Sequence, residues 1–281
     1  MLQFKKRNII IKFKKNIMDG LTKQTQYLEF FIHKDFFLSI DSWGEAQLQD
    51  IVKLLDSTTM EFYSNLETNK LPNKLVFVLN SSLNIHPIDY TQIIILNDRA
   101  LIFLHVSGRL WSRYSYQFSH ELCHYVIDME FPPKNDKFGW LEESICELAS
   151  LYTLNKMSIT WKTNPPYSNW IDYSNSLSDY VNEIITDQKN TLNISFYEWL
   201  DDNISELILD RYKRDKNKII ALQLLPLFIK IPELWKTIQY LKDVIVKDEI
   251  TLRQYLYEWK KVIPSTLQSN FVEIINIFIE K

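Results

Sequence analysis

Ser119-His120-Glu121-Leu122-Cys123-His124 constrains this chain more than any other stretch. It reads H-E-x-x-H. On a helix, His120 and His124 sit one turn apart and share a face, so two imidazoles can reach one tetrahedral metal ion. Glu121 falls roughly 100° around the helix, beside the ion, where a carboxylate takes a proton from metal-activated water. Downstream lies Trp140-Leu141-Glu142-Glu143-Ser144-Ile145-Cys146-Glu147. Eighteen residues separate His124 from Glu143. That interval lets a second helix turn back and offer a third ligand. Glu147, one turn further, can accept the free ring N–H of a ligating histidine. The spacing therefore predicts two packed helices around one ion. A surface helix carrying two histidines by chance is the competing reading.

H-E-x-x-H, eighteen residues and then W-L-x-E resembles the gluzincin metallopeptidases, in both the thermolysin and the zinc-aminopeptidase branches. The match covers about thirty of the 281 residues and concerns the metal site. The resemblance implies Zn²⁺ on His120, His124 and Glu143, with Glu121 as general base and Glu147 supporting a ligand. The substrate it implies is a peptide or protein. It also implies a sheet whose edge strand pairs with the substrate backbone. Leu101–Val106 is the candidate edge, with His105 on it. In the aminopeptidase branch a tyrosine stabilises the oxyanion some sixty-odd residues after the ligand Glu. Tyr212 lies sixty-nine residues after Glu143, ahead of an apolar helix, and is the first choice. Tyr152 and His105 stand behind it.

The chain departs from the family in three places. The G-A-M-E-N exopeptidase motif is absent, Ser144 replaces a glycine after the ligand Glu, and Glu142 competes with Glu143 as ligand, although only Glu143 has the family spacing. Endo- and exopeptidase action therefore both stay open. So do a non-catalytic binding or scaffold protein with a vestigial zinc site, and metal-assisted hydrolysis of a non-peptide substrate.

Composition narrows the partners. A net charge of −3 supplies no field favouring nucleic acid or anionic membrane. Residues 1–15 hold six Lys/Arg, but their apolar run, Ile9-Ile10-Ile11, is too short for a signal peptide. The apolar stretch Ile219–Ile231 is broken by Gln223, Pro226 and Lys230 and is too short to span a bilayer. Two cysteines, Cys123 and Cys146, make no disulfide framework and read as small buried hydrophobes. The expected address is the cytoplasm.

The pattern along the chain predicts an α+β fold. A small mixed sheet and the active-site helices form a gluzincin-like lobe over residues 1–160, and an all-helical lobe follows over 161–281. Asn8 to Lys14 reads as a strand, tail or docking arm. Two short strands fall within Gln26–Asp41. Ser42-Trp43-Gly44-Glu45 fits a capping box opening a helix to about residue 65–69. Leu75–Leu79 is a buried strand. Ile93–Leu96 and Leu101–Val106 form a hairpin about Asn97-Asp98. The motif helix starts near Ser112 or Ser115 and buries Phe118, Leu122, Tyr125, Val126 and Met129. Pro132-Pro133 stops it. The second helix runs from Trp140 to about Lys156. After a loop at 160–175 come helical segments near 176–188, 195–212, 216–230, 232–247, 250–262 and 265–280, punctuated by Pro226, Pro232 and Pro264.

Overall fold

A computed structural model describes residues 26–83, 89–128, 137–245 and 249–279. The expectations for Asn8–Lys14, Met129 and the Pro132-Pro133 stop lie outside these residues. The described chain is a mixed α/β structure of helices and one five-stranded mixed sheet. It divides into two compact units. One holds the chain up to Asp56 with Asn73–Leu110; the other holds Ser57–Pro72 with Trp111 onward.

The first unit is the sheet. Strands β1 (Tyr27–Glu29), β2 (Phe36–Ser39), β3 (Leu75–Asn80), β4 (Gln92–Ile95) and β5 (Arg99–Leu104) lie in the order β1-β2-β3-β5-β4. β2, β3 and β5 run parallel, and β1 and β4 pair antiparallel at the two edges. The hairpin closes as expected, with Leu96 N donating to Arg99 O across Asn97-Asp98. However, β5 is an interior strand, flanked by β3 and β4, so Leu101–Val106 is not the edge. From Ala100 to Leu104 every residue is buried, the unbroken apolar run of a strand covered on both faces.

Helix α1 (Leu48–Tyr63) begins six residues after Ser42, so the expected capping box does not form. Ser42 and Gly44 both adopt positive φ, and Trp43 O accepts from Gly108 N at 2.9 Å. A Cβ on Gly44 would come within 3.2 Å of Gly108 N, so the segment is a close-packed turn that only glycine fits. The loop between β1 and β2 is pinned by Asp56. Its carboxylate accepts from the backbone N–H groups of Phe31, Ile32 and His33 and contacts His33 Nδ1 at 2.8 Å.

The second unit is helical and is built about α2 (Trp111–Ile127) and α3 (Gly139–Thr160), which pack on each other. The apolar stripe of α2 is buried as expected, at Phe118, Leu122, Tyr125 and Val126. α3 goes further: every residue from Trp140 to Leu154 is buried, which marks a central helix enclosed on all sides. Around it lie α4 (Tyr173–Thr186), α5 (Phe196–Leu209), α6 (Arg214–Lys230), α7 (Leu252–Val262) and α8 (Ser265–Ile279). Pro226 lies inside α6, as the expected 216–230 segment has it, and is exposed. Pro232–Asp243 winds as 3₁₀ turns instead of an α-helix. It seats Trp235 against Phe62, Tyr152 and Phe228, with ring centroids 5.3, 5.1 and 4.8 Å away. Among the described residues no helix is long and apolar enough to cross a membrane.

Candidate metal centre

Small polar side chains let α2 and α3 approach closely. Ser150 Oγ donates to Tyr116 O across the helix pair at 2.8 Å, and Ser144 Oγ folds back onto Trp140 O at 2.8 Å. Cys123 and Cys146 are both free and buried at this contact, filling space as small hydrophobes. This close approach sets the ligand-bearing faces against each other.

His120, His124 and Glu143 each offer one ligand atom, all within 4.8 Å of one another. His120 Nε2 lies 3.4 Å, and His124 Nε2 3.5 Å, from the same oxygen, Glu143 Oε2. Those separations are long for hydrogen bonds. They equal the edge of a tetrahedron of roughly 3.4 Å that bonds of about 2.0–2.1 Å to one ion produce. Two nitrogens and one carboxylate oxygen so placed could hold a metal ion.

The other ring nitrogens face carboxylates. His124 Nδ1 donates to Glu142 Oε1 at 2.8 Å, and His120 Nδ1 lies 3.7 Å from Glu147 Oε2. Each Nε2 is thereby turned to the common point, the arrangement that orients a metal-binding imidazole. Glu147 is fixed in turn by the Tyr116 hydroxyl, which donates to its Oε1, and by Lys218 Nζ at 3.9 Å. Glu142 is fixed by Arg211, whose Nη2 donates to Oε2 at 2.6 Å, while Arg211 Nε lies 3.3 Å from Glu143 Oε1. Asn217 holds that loop, donating through Nδ2 to Arg211 O at 2.8 Å.

The charges are strongly coupled. Burial pulls the His120 pKa down, but contacts with Glu143 and Glu147 and the nearby charge of Glu121 outweigh it and raise it to about 9. His124 is likewise raised, against burial, by Glu143 and Glu142. Burial pushes Glu143 up, yet the two histidines hold it well below the usual carboxylate range. Glu142 and Glu147 are lowered against burial by His124 and His120 respectively. Without a metal the imidazoles therefore keep protons that a metal must displace.

Glu121 is buried, 3% exposed, next to His120. Tyr212 lies in the turn between α5 and α6 with 64% of its surface exposed, outside the buried cluster. Its ring lies 5.7 Å from the Arg211 guanidinium. Tyr152 bonds Asn65 Oδ1 at 3.3 Å. His105 lies just beyond β5 and shares a 3.0 Å hydrogen bond with Ser81 Oγ.

Sequence reasoning named the three candidate ligands and Glu147 but weighed Glu142 only as a rival ligand. A clue was available: Glu142 and Glu143 are neighbours, and two carboxylates at one helix end can serve two imidazoles one turn apart. Tyr116, one turn before His120 on the same stripe, was also legible. Arg211 was not, because its reach depends on how α6 packs. No family model, no curated protein and no solved structure matches the chain.

Proposed function

We propose that this protein is a zinc-dependent metallopeptidase of gluzincin type, hydrolysing peptide bonds of a peptide or protein substrate in the cytoplasm. The observation that carries the proposal is that His120 Nε2 and His124 Nε2 both lie at tetrahedral-edge distance from Glu143 Oε2, with the buried Glu121 next to His120 in the chain. On this reading the helical unit with α2 and α3 takes the part of the catalytic lobe.

The residues divide the work. His120, His124 and Glu143 would hold zinc. Bound zinc would supply Lewis acidity, polarising a substrate carbonyl and acidifying water. Glu121 accepts the water proton and passes it to the leaving amine. Glu142 and Glu147 keep the imidazoles in the tautomer that points Nε2 at the ion. Arg211 neutralises the second carboxylate on α3 and steadies both Glu142 and Glu143. Tyr212, on the turn that Arg211 anchors, is the hydroxyl assigned to the oxyanion.

The test is Glu121→Gln. The zinc-loaded wild type should cleave a mixed peptide library. The variant should keep its zinc and lose cleavage by at least about a hundredfold. Equal cleavage by the two proteins would remove Glu121 as the base, and none by the wild type would favour the scaffold reading.

A further inference from the structure

Two observations fall at one place on α6. The first is a pocket of about 470 Å³, a size that takes a small ligand or a large side chain. Ile185 near the end of α4, Ile194 and Phe196 at the turn into α5, and Leu222, Leu225 and Pro226 of α6 line it. The second is a displaced backbone partner. Pro226 has no N–H, so Leu222 O loses the donor that a helix supplies four residues on. Helical carbonyls point along the axis towards the C-terminus, so this oxygen is directed from one lining residue towards the other.

Apolar hollows are common on surfaces, and a proline on the exposed side of a helix is often only tolerated. Here the two coincide, and the walls are held from behind. Asn190 Nδ2 donates to Ile184 O at 2.7 Å, which pins the loop after α4. The capping box of Ser195 with Glu198 fixes the start of α5, and Phe196 packs edge-to-face on Phe278 of α8, ring centroids 5.8 Å apart. Ile185 and Ile194 are nonetheless 44% and 48% exposed. The Gln223 amide, also in the lining, makes no hydrogen bond among the described residues. An apolar side chain on a backbone with an N–H to give and a C=O to receive matches these features, and that is a peptide.

Both walls lead back towards the candidate metal centre. Tyr180, five residues before Ile185 on α4, packs on Tyr116, which donates to Glu147. Lys218, four residues before Leu222 on α6, lies 3.9 Å from Glu147. Leu225 is about 10 Å along α6 from Lys218, a span that an extended peptide covers in about three residues.

We infer that this pocket is a peptide-binding subsite, which takes a bulky apolar side chain of the substrate several residues from the cleaved bond while Leu222 O accepts a backbone N–H. That the peptide is a substrate rests on the peptidase reading; the pocket and its acceptor do not.

The experiment therefore measures binding apart from cleavage. Glu121→Gln protein is titrated with fluorescein-labelled, end-blocked decapeptide pools of random sequence, each with one position fixed as Leu or as Ser. At one fixed position the Leu pool should bind about tenfold tighter than its Ser partner. Ile185→Asp/Ile194→Asp, at exposed positions that leave the core intact, should abolish that preference. N-methylation at or next to the fixed Leu should cost about fivefold. Pro226→Ala returns an N–H to Leu222 O; it should raise the melting temperature, weaken the Leu pool by a similar factor and make N-methylation harmless. Equal binding of Leu and Ser pools at every position overturns the subsite, as does a preference that survives the double aspartate variant. An N-methylation cost that persists in Pro226→Ala overturns the role of Leu222 O. Self-association of the protein that the double aspartate variant loses would give the pocket to a second copy instead. Cleavage of the same pools by wild-type protein reports separately on the peptidase reading.

Discussion

Glu142 Oε1 receives the ring N–H of His124 at 2.8 Å, so the residue next to the third ligand is itself the support of the second. The candidate metal centre is thereby closed on both sides, Glu142 behind His124 and Glu147 behind His120. Glu142→Ala should weaken zinc binding by about 10–100-fold, as read by competition with a fluorescent chelator. Glu142→Gln, which can still accept the hydrogen bond, should lose less. Unchanged affinity in Glu142→Ala would remove Glu142 from the centre.

The coupled charges predict how metal-depleted protein responds to pH. His120 sits at about 9 when folded against roughly 6.5 unfolded, so the stability it contributes is complete below about pH 6.5 and lost as pH climbs towards 9. Glu142, Glu143 and Glu147 are lowered on folding, so their contribution is present above about pH 4.5 and lost on acidification. The melting temperature of chelator-treated protein should peak between these limits and fall by several degrees by pH 9. Zinc should remove the alkaline fall. A flat profile from pH 6 to 9 without metal would contradict the charge assignment.

On the proposed reading Tyr212 serves the oxyanion, a role whose loss costs about 100-fold or more in kcat. Tyr212→Phe should show that loss with little change in KM and no loss of zinc. An unaltered kcat would shift the assignment to another hydroxyl.

How much of this was legible in the sequence depended on range. Elements set by local pattern came through: the hairpin at Asn97-Asp98, the buried stripe of α2, and the two ligand helices. The centre followed because its four carboxylate and imidazole positions obey helical spacing on two segments. Ser42-Trp43-Gly44-Glu45 misled because a capping box is a four-residue pattern, and Gly44 pressed against Gly108 diverts the chain first. Genuine boxes form at Ser195 with Glu198 and at Thr251 with Gln254, where nothing competes. The interior place of β5 was hidden because strand order depends on pairings distant in sequence. Pro226 falls inside the expected 216–230 segment and inside α6: only one backbone donor is lost there, and the buried Leu224, Leu225 and Phe228 carry the helix past it.

Asp56 carries a prediction for the sheet unit. Its buried carboxylate serves three backbone N–H groups of the β1–β2 loop. Asp56→Ala should cost ~3 kcal/mol in urea unfolding, since it strands those donors. A cost under about 0.5 kcal/mol would mean the loop finds other partners.

The central claim is that one ion sits among His120, His124 and Glu143, and metal content tests it most directly. Elemental analysis of purified protein, with calorimetric titration of stripped protein, should find one equivalent of zinc in the wild type and none retained by His120→Ala, His124→Ala or Glu143→Ala. A folded wild type that carries no metal and takes up none, or a Glu143→Ala variant that binds zinc as tightly as the wild type, would contradict the account.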